Sequence, residues 1–453
     1  MDWHLLGVSV GPAVEGSITD ESRLLGVGLL FLYVIVADRY LKSFNIPTNA
    51  IILFLGLLVV PLAGNNPFQV PGEFIHVLHL TSLNLILFTS GLSTKISTIR
   101  QSIKFSFSIA TLSCLLTAVI TGGLFFLITS PDFGAINFGI YETFPLGAAL
   151  LMGACLSDTD GEAALRCLGD LRKKIPERLQ NTIQFESLLN CATTIILFGL
   201  FASFYFQNFH DSHFIVGSTI GQTFGAITKS LIALFSTGVV DGVIFGYLAN
   251  WLFKTMQIKQ SRYLAAGIAI VFINYATSNF LGGSGLISAF IAGLFINNTD
   301  SECKSSVANL KTSIVPFNEA AEIFICIAFA LQVNINKVIE CMPLGILCGF
   351  LMMFIARPAS IFLNQRLSNL RWNELLLLSW CGLKGPVTFA VSFELVELIS
   401  EFPGLQTSVS GELASEIQSV IFVASLFNLL IQGISLNWVA TKLNVQERPS
   451  LSS

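Results

Sequence analysis

The segment Gly153-Ala-Cys-Leu-Ser-Asp-Thr-Asp-Gly161 places two aspartates inside an apolar stretch that runs over residues 144–166. Serine, aspartate and threonine are poor residues for a helix interior, because their side chains compete for backbone hydrogen bonds. Glycine is also unfavourable there, because it has no side chain to restrict its backbone. A second break is Cys381-Gly-Leu-Lys-Gly-Pro386, where Pro386 lacks a backbone donor and disfavours helix at Gly385. The sequence therefore predicts two interrupted helices, one in each half of the chain.

The composition around these breaks is that of an all-α polytopic membrane protein. Of the 453 residues, 53% are hydrophobic and only 11% are charged, whereas soluble domains carry about 25% charged residues. So few charges cannot cover the surface of a protein of this size in water, which excludes a cytosolic enzyme, a nucleic-acid binder and a disordered regulator. We expect the lipid bilayer as the partner of this surface and predict no cofactor.

The apolar stretches divide the chain into thirteen predicted spans, each near the length of about 20 residues that crosses a bilayer. They cover residues 23–37, 48–64, 74–93, 105–129, 144–166, 183–206, 220–253, 262–279, 280–296, 313–332, 338–363, 373–397 and 417–440. When alternate loops are assigned to opposite sides, most lysines and arginines fall on one side. The positive-inside rule then predicts an outside N-terminus and a cytoplasmic C-terminus, in what we expect to be the cell (inner) membrane.

The two breaks fall in spans 5 and 12, which is the relation expected for two repeats of six spans joined by a linking helix. Interrupted helices at corresponding positions of inverted repeats mark the binding site of many transporters, near the bilayer midplane. The predicted organisation is an extracytoplasmic segment 1–22, a transporter domain 23–440 with repeat one at about 23–206, a linker helix at about 220–253 and repeat two at about 262–440, and a short cytoplasmic tail 441–453.

Several ionisable side chains lie inside the predicted spans, where a charge is costly and most often belongs to an ion or substrate pathway. They are Asp158, Asp160 and Glu162 in span 5, Glu186 in span 6, Asp241 in span 7, Glu319 and Glu322 in span 10, Arg357 in span 11 and Lys384 in span 12. The alternative for Glu162, Glu319 and Arg357 is snorkelling from a span end. Because half-helix ends carry partial charges, we expect Asp160 to balance the N-terminal ends and Lys384 the C-terminal ends.

Span 6 carries a polar stripe. Ser187, Asn190, Cys191 and Thr194 share one helical face, and Glu186 lies four residues before Asn190. A polar face in a buried span needs partners, so we expect it to face spans 5 and 12. The alternative is that Ser, Thr and Asn hold helices together, but the convergence of acids and helix breakers favours a binding site.

Eight short motifs follow one another along the chain. They are Ile46-Pro47, Phe88-Thr-Ser-Gly-Leu92, Thr159-Asp160, Glu186-Ser-Leu-Leu-Asn190, Gly282-Gly-Ser-Gly-Leu286, Ala292-Gly-Leu294, Arg357-Pro358 and Gly382-Leu-Lys-Gly385. This ordered set resembles the monovalent cation:proton antiporters of the NhaP/NHE type over nearly the whole chain. The resemblance implies the antiporter fold, with its two discontinuous helices crossing near the midplane, exchange of Na⁺ or K⁺ for protons rather than an enzyme activity, and a homodimer.

The resemblance also implies roles for individual side chains. Thr159 and Asp160 would lie where the interrupted helices cross, Ser187 would supply a coordinating oxygen, and Asn190 would shape the site. Glu186 would form a buried structural ion pair with Lys384, at a position where the family has arginine. A lysine keeps the charge but lacks the bidentate geometry of a guanidinium.

Position 191 departs from the family pattern, in which an aspartate that binds either cation or proton follows the asparagine. This chain has Cys191, and neutral sulfur is a poor ligand for a hard cation such as Na⁺. We therefore expect Asp160 to be the exchanging acid, with Asp158 as a second acid. Two alternatives stay open: a degenerate antiporter homologue with a sensing or regulatory role, and an organic anion symporter that uses Lys384.

Overall fold

The structure, a computed structural model, contains helices, turns and irregular segments but no strand over the residues it describes. These are residues 46–62, 72–94, 96, 103–130, 146–205, 220–256, 258–298, 304–368, 370–400 and 407–445, with positions 28, 32, 36 and 39. The predicted segment 1–22, most of the first predicted span and most of the predicted tail lie outside them.

Seventeen α-helices follow one another along the described residues. Those of the first half are α1 (Thr48–Leu62), α2 (Gly72–Ser93), α3 (Ile103–Ser108), α4 (Cys114–Thr129), α5 (Leu146–Cys155), α6 (Gly161–Cys167), α7 (Glu177–Tyr205) and α8 (Ile220–Thr255). Those of the second half are α9 (Tyr263–Phe280), α10 (Gly285–Asn298), α11 (Lys304–Gln332), α12 (Ile335–Phe350), α13 (Arg357–Leu363), α14 (Trp372–Trp380), α15 (Pro386–Ser400), α16 (Thr407–Asn428) and α17 (Ile434–Lys442).

Short π-helical segments keep three pairs of helices continuous. Ile109–Ser113 joins α3 to α4, Leu351–Ala356 joins α12 to α13, and Leu429–Gly433 joins α16 to α17. Such segments are frequent at functional positions of helices. The second of them ends directly before α13, whose first residue is Arg357.

By length and apolar composition, seven helices of the described residues are able to cross a membrane, and four shorter apolar helices accompany them. Their outer faces are apolar as well. On α8, for example, the side chains of Ile232, Val240, Tyr247 and Trp251 are all exposed. Exposed apolar surface of this extent is unfavourable in water and matches a lipid environment.

The described helices are interrupted between α5 and α6 and between α14 and α15. Helix α5 ends at Cys155 and α6 begins at Gly161, while α14 ends at Trp380 and α15 begins at Pro386. Proline is favoured at the first position of a helix, since its missing N–H would have no partner there. The two irregular segments also touch, because the backbone N–H of Asp160 donates to the carbonyl of Leu383 at 2.7 Å.

The buried apolar residues form two separate clusters. The smaller cluster joins α2, α8, α9, α10 and α11, and the larger one includes α4, α5, α7, α12, α15 and α16. Helices α2 and α10 approach so closely that a Cβ at Gly91 would collide with the Phe290 carbonyl, and a Cβ at Gly293 with the Phe88 carbonyl. These glycines allow the backbones to pack directly, as small residues do between membrane helices.

Candidate functional site

A cavity of about 530 Å³ lies beside the two helix breaks. It is lined by α2, α6, α7 and α11, by the start of α15 and by the break between α5 and α6. The charged residues of its lining are Asp158, Asp160, Glu162, Glu319, Glu322 and Arg166. The structure therefore brings together five of the acids that the sequence places inside spans.

Asp160 lies at the junction between the break and α6. Its Oδ1 accepts a hydrogen bond from the backbone N–H of Ala163 at 2.8 Å, so the carboxylate is the N-cap of α6. Its side chain is 14% exposed, and Oδ2 lies 4.0 Å from Nη2 of Arg166. A carboxylate in this position balances the positive end of α6, as the sequence predicts.

Asp158 is the more deeply buried acid. Its residue exposure is 1%, and its Oδ1 has no hydrogen-bond partner among the described residues. The thiol of Cys191 on α7 lines the same cavity as Asp158 and donates to the backbone carbonyl of Ser187 at 3.1 Å. The position that departs from the family pattern thus lies in the same cavity as the extra acid.

Lys384 closes the other side of the break. Its Nζ donates to the carbonyl of Leu156, just beyond the end of α5, and to that of Asp158 at 2.7 Å. A cation here balances the negative C-terminal end of α5, again as predicted. Asn428 fixes the backbone on which Lys384 sits, because its side chain accepts from the Lys384 N–H at 3.0 Å and donates to the Gly382 carbonyl at 3.2 Å.

The polar stripe of α7 faces the first break. The Ser187 hydroxyl accepts from the Gly161 N–H at 2.9 Å and donates to the Thr159 carbonyl at 2.8 Å. The Asn190 amide donates to Thr159 Oγ1 at 2.9 Å and to the Ser157 carbonyl at 3.3 Å. These bonds satisfy the backbone groups that the broken helix leaves free, so the stripe holds the irregular segment in one conformation.

The expected ion pair between Glu186 and Lys384 is wrong. Glu186 pairs instead with Arg357, whose Nη1 and Nη2 lie 2.7 and 2.9 Å from its two carboxylate oxygens. Both side chains are buried, at 2% and 4% exposure. The physical reason is geometric: Arg357 offers the bidentate fork that lysine lacks, and the Lys384 ammonium is already engaged by carbonyls.

Three of the remaining acids of the predicted cluster have hydrogen-bond partners of their own. Asp241 lies away from the cavity, where its Oδ2 accepts from the Ser288 hydroxyl at 3.0 Å. In the cavity wall, Glu162 accepts from Gln184 at 2.6 Å and Glu322 from Asn318 at 2.7 Å. These two acids line the cavity, but each already has a neutral hydrogen-bond donor.

Sequence reasoning missed Arg166 and Asn428 as parts of the site. Arg166 counted only as a loop cation in the assignment of membrane sides, although it follows Asp160 by six residues and therefore lies within two turns of it on a helix. No comparable local signal marks Asn428, which approaches the second break from a distant helix.

Residues 27–442 match the family described as "Sodium/hydrogen exchanger, transmembrane". The chain belongs to this family. Its helices and its family together make it a multi-pass integral membrane protein, and the family and its relatives are transporters rather than enzymes.

Relatives with established names are antiporters. The chain is 26% identical over 415 residues to the K(+)/H(+) antiporter NhaP2 of Shewanella oneidensis, an alignment that covers 88% of this chain and 63% of that protein. It is 27% identical over 321 residues to the Na(+)/H(+) antiporter ApNhaP of Aphanothece halophytica, covering 67% of this chain and 55% of the relative. The chain therefore spans less than two thirds of the length of these relatives.

A solved structure shares the fold. The sodium proton antiporter MjNhaP1 from Methanocaldococcus jannaschii superposes with a TM-score of 0.72, covering 93% of this chain and 99% of that one. Because the sequence identity is only 18%, this comparison shows a shared arrangement of helices and nothing further.

Proposed function

We propose that this exchanger is a secondary active antiporter that exchanges a monovalent cation, Na⁺ or K⁺, for protons across a membrane. The observation that carries the proposal is the Asp160 carboxylate, mostly buried at the contact between two helix breaks and facing an acidic cavity. We infer that Asp160 is the exchanging acid.

Competition between the cation and the proton for one carboxylate accounts for the coupling of their movements. A metal cation and a proton each neutralise Asp160, but they cannot do so together. An empty, charged site resists passage through the low-dielectric barrier between the two sides of the membrane, whereas the neutralised site passes more easily. Occupancy by either ion therefore permits alternating access, and the two gradients become linked by mass action.

The oxygen ligands proposed from the sequence fit this picture. In the structure, the hydroxyls of Thr159 and Ser187 each donate one hydrogen bond and accept one. A hydroxyl has two acceptor lone pairs, so each oxygen keeps one lone pair for a cation. Asn190 holds Thr159 in place, and Asp158 supplies a second carboxylate whose Oδ1 has no other partner in the described part of the chain.

The finer architecture is part of the same proposal. We infer thirteen spans in two inverted repeats with discontinuous helices 5 and 12 crossing near the midplane, the N-terminus outside, the C-terminus in the cytoplasm, and a homodimer in the cell (inner) membrane. The contact of the two breaks through Asp160 and Leu383 supports the crossing.

The direct test is cation-dependent proton movement in liposomes that contain the purified protein. An outward gradient of K⁺ or Na⁺ should acidify the lumen, because each cation that leaves is exchanged for a proton that enters. The change is read by a pH-sensitive dye, and parallel measurements with the two cations give the selectivity. The Cys191→Asp variant is measured beside the wild type. A silent wild type whose exchange appears only with Cys191→Asp would overturn the proposal.

Gly385 offers a steric test of the place of Asp160. A Cβ at position 385 would lie 2.9 Å from the Asp160 Cβ and 3.4 Å from Oδ2, so Gly385→Ala must displace the carboxylate. Because small misplacements of reacting groups have large effects, we expect exchange to fall by roughly tenfold or more. The measurement is the initial exchange rate at equal protein content.

Gly123→Ala is the matched control for Gly385→Ala. A Cβ at Gly123 meets nothing within 4 Å, and alanine is favoured over glycine inside a helix. We expect this variant to exchange at the wild-type rate. Equal rates in the two alanine variants would contradict the assignment of Asp160.

A further inference from the structure

We propose that Arg166 is a tethered cation that competes with the transported ion for the Asp160 carboxylate and thereby sets the apparent cation affinity. This inference rests on the proposed exchange at Asp160. It adds a residue that determines how strongly the site binds its ion, and it assigns a role to a basic side chain in an otherwise acidic cavity.

The first argument is the distance between the two charges. Nη2 of Arg166 lies 4.0 Å from Oδ2 of Asp160, which is close enough for attraction but longer than a hydrogen bond. The Arg166 side chain is 57% exposed, whereas that of Asp160 is 14% exposed. The guanidinium therefore sits at the open side of the acid, on the approach from the cavity.

The second argument is that no hydrogen bond to a described residue fixes the Arg166 side chain. Three acids attract it, Asp160, Glu162 and Glu322. Glu162 and Glu322 each accept a hydrogen bond from a neutral amide instead, and the Arg166 side chain has no hydrogen bond among the described residues. A side chain that several acids attract, but that no hydrogen bond holds, is free to move away from the Asp160 carboxylate when another cation arrives.

The third argument comes from the chemistry of the guanidinium. An arginine stays protonated in proteins, so Arg166 carries no transported proton and presents a permanent charge. A Na⁺ or K⁺ that binds Asp160 must displace the Arg166 guanidinium from the carboxylate. When the cation leaves, the guanidinium returns to Asp160. Arg166 therefore weakens cation binding while it keeps the empty site partly neutralised.

A purely structural role for Arg166 makes the opposite prediction. If the arginine only fixed the position of Asp160, its removal would leave the carboxylate poorly placed, and cation affinity would fall. If Arg166 competes, its removal strengthens cation binding. The direction of the change therefore separates the two roles.

The test measures the cation concentration that gives half-maximal exchange, at alkaline pH where protons compete least. We expect Arg166→Gln to lower this concentration by about threefold to tenfold for Na⁺ or K⁺, and Arg166→Lys, which keeps the charge, to stay near wild type. Stabilisation of the detergent-solubilised protein by the same cation, measured by thermal melting, reports binding without transport.

Lys173→Gln is the matched control, because it removes one positive charge from a side chain that is 84% exposed and that pairs with Asp170 at 3.7 Å. It should leave the half-maximal concentration unchanged. An unchanged or higher value in Arg166→Gln would overturn the role of Arg166 while leaving the exchanger proposal intact. Absence of exchange in the wild type would instead overturn the proposed function.

Discussion

Replacing Asp160 with asparagine is expected to reduce cation/proton exchange to the background of empty liposomes. An asparagine amide neither releases a proton nor carries the negative charge that attracts a cation. If exchange passes through this carboxylate, no gradient of either ion can drive the other after the substitution. The measurement is dye-reported proton movement on addition of Na⁺ or K⁺, over a range of pH.

The substitution is informative because it should not disturb the fold. Asp160 is the N-cap of α6 through Oδ1 and the Ala163 N–H, and asparagine is as good an N-cap as aspartate. The backbone bond from Asp160 to Leu383 does not involve the side chain. We therefore expect unchanged expression and thermal stability together with lost exchange.

Asp170→Asn serves as the control for Asp160→Asn. The Asp170 side chain is fully exposed and forms a surface pair with Lys173, so its neutralisation should leave exchange unchanged. Substantial exchange by Asp160→Asn would move the exchanging role away from this residue. Asp158, the other acid of the break, would then be the acid to test.

Local chemistry explains which parts of the site were predictable from the sequence. The breaks follow from residues such as Asp158 and Pro386, whose effect on a helix acts within a few positions. The capping roles of Asp160 and Lys384 follow in turn, because half-helix ends need charges of opposite sign. Helical periodicity likewise places Ser187 and Asn190 on one face.

Partners that are remote in sequence were not predictable in the same way. Two buried cations in the predicted membrane domain are candidate partners of Glu186, namely Arg357 and Lys384. Arg357 is 171 positions away, and no local sequence pattern decides between the two. The family resemblance implied Lys384, whereas the structure places the Arg357 guanidinium against the Glu186 carboxylate. Arg166 was obscured for another reason, since a charge at a predicted span end is usually a solvated one.

Breaking the Glu186–Arg357 pair is expected to cause the largest loss of stability of any single substitution discussed. Arg357→Met leaves a carboxylate buried at 2% exposure without its bidentate partner. Removing one member of a buried pair typically costs about 3–5 kcal/mol, because the other charge is left uncompensated. The measurement is the free energy of unfolding, or the apparent melting temperature, of the purified protein in detergent.

The pair also supports the site, which gives the prediction a second readout. Glu186 accepts from the Thr159 hydroxyl at 3.3 Å, and a Cβ at Gly382 would lie 3.3 Å from Arg357 Nε. The ion pair thus reaches from the first break to the second. We expect Arg357→Met to lose exchange along with stability, in contrast to Asp160→Asn, which should lose exchange alone.

A double variant separates the charge from the packing. Replacing both members of a buried pair by uncharged residues is often nearly neutral, so Glu186→Gln combined with Arg357→Met should regain most of the stability lost by Arg357→Met. Lys173→Met, at an exposed pair, should change stability by less than about 0.5 kcal/mol. If the double variant were as unstable as Arg357→Met, the uncompensated charge of Glu186 would not be the cause of the lost stability. The loss would then come from the missing packing of the arginine side chain against Gly382.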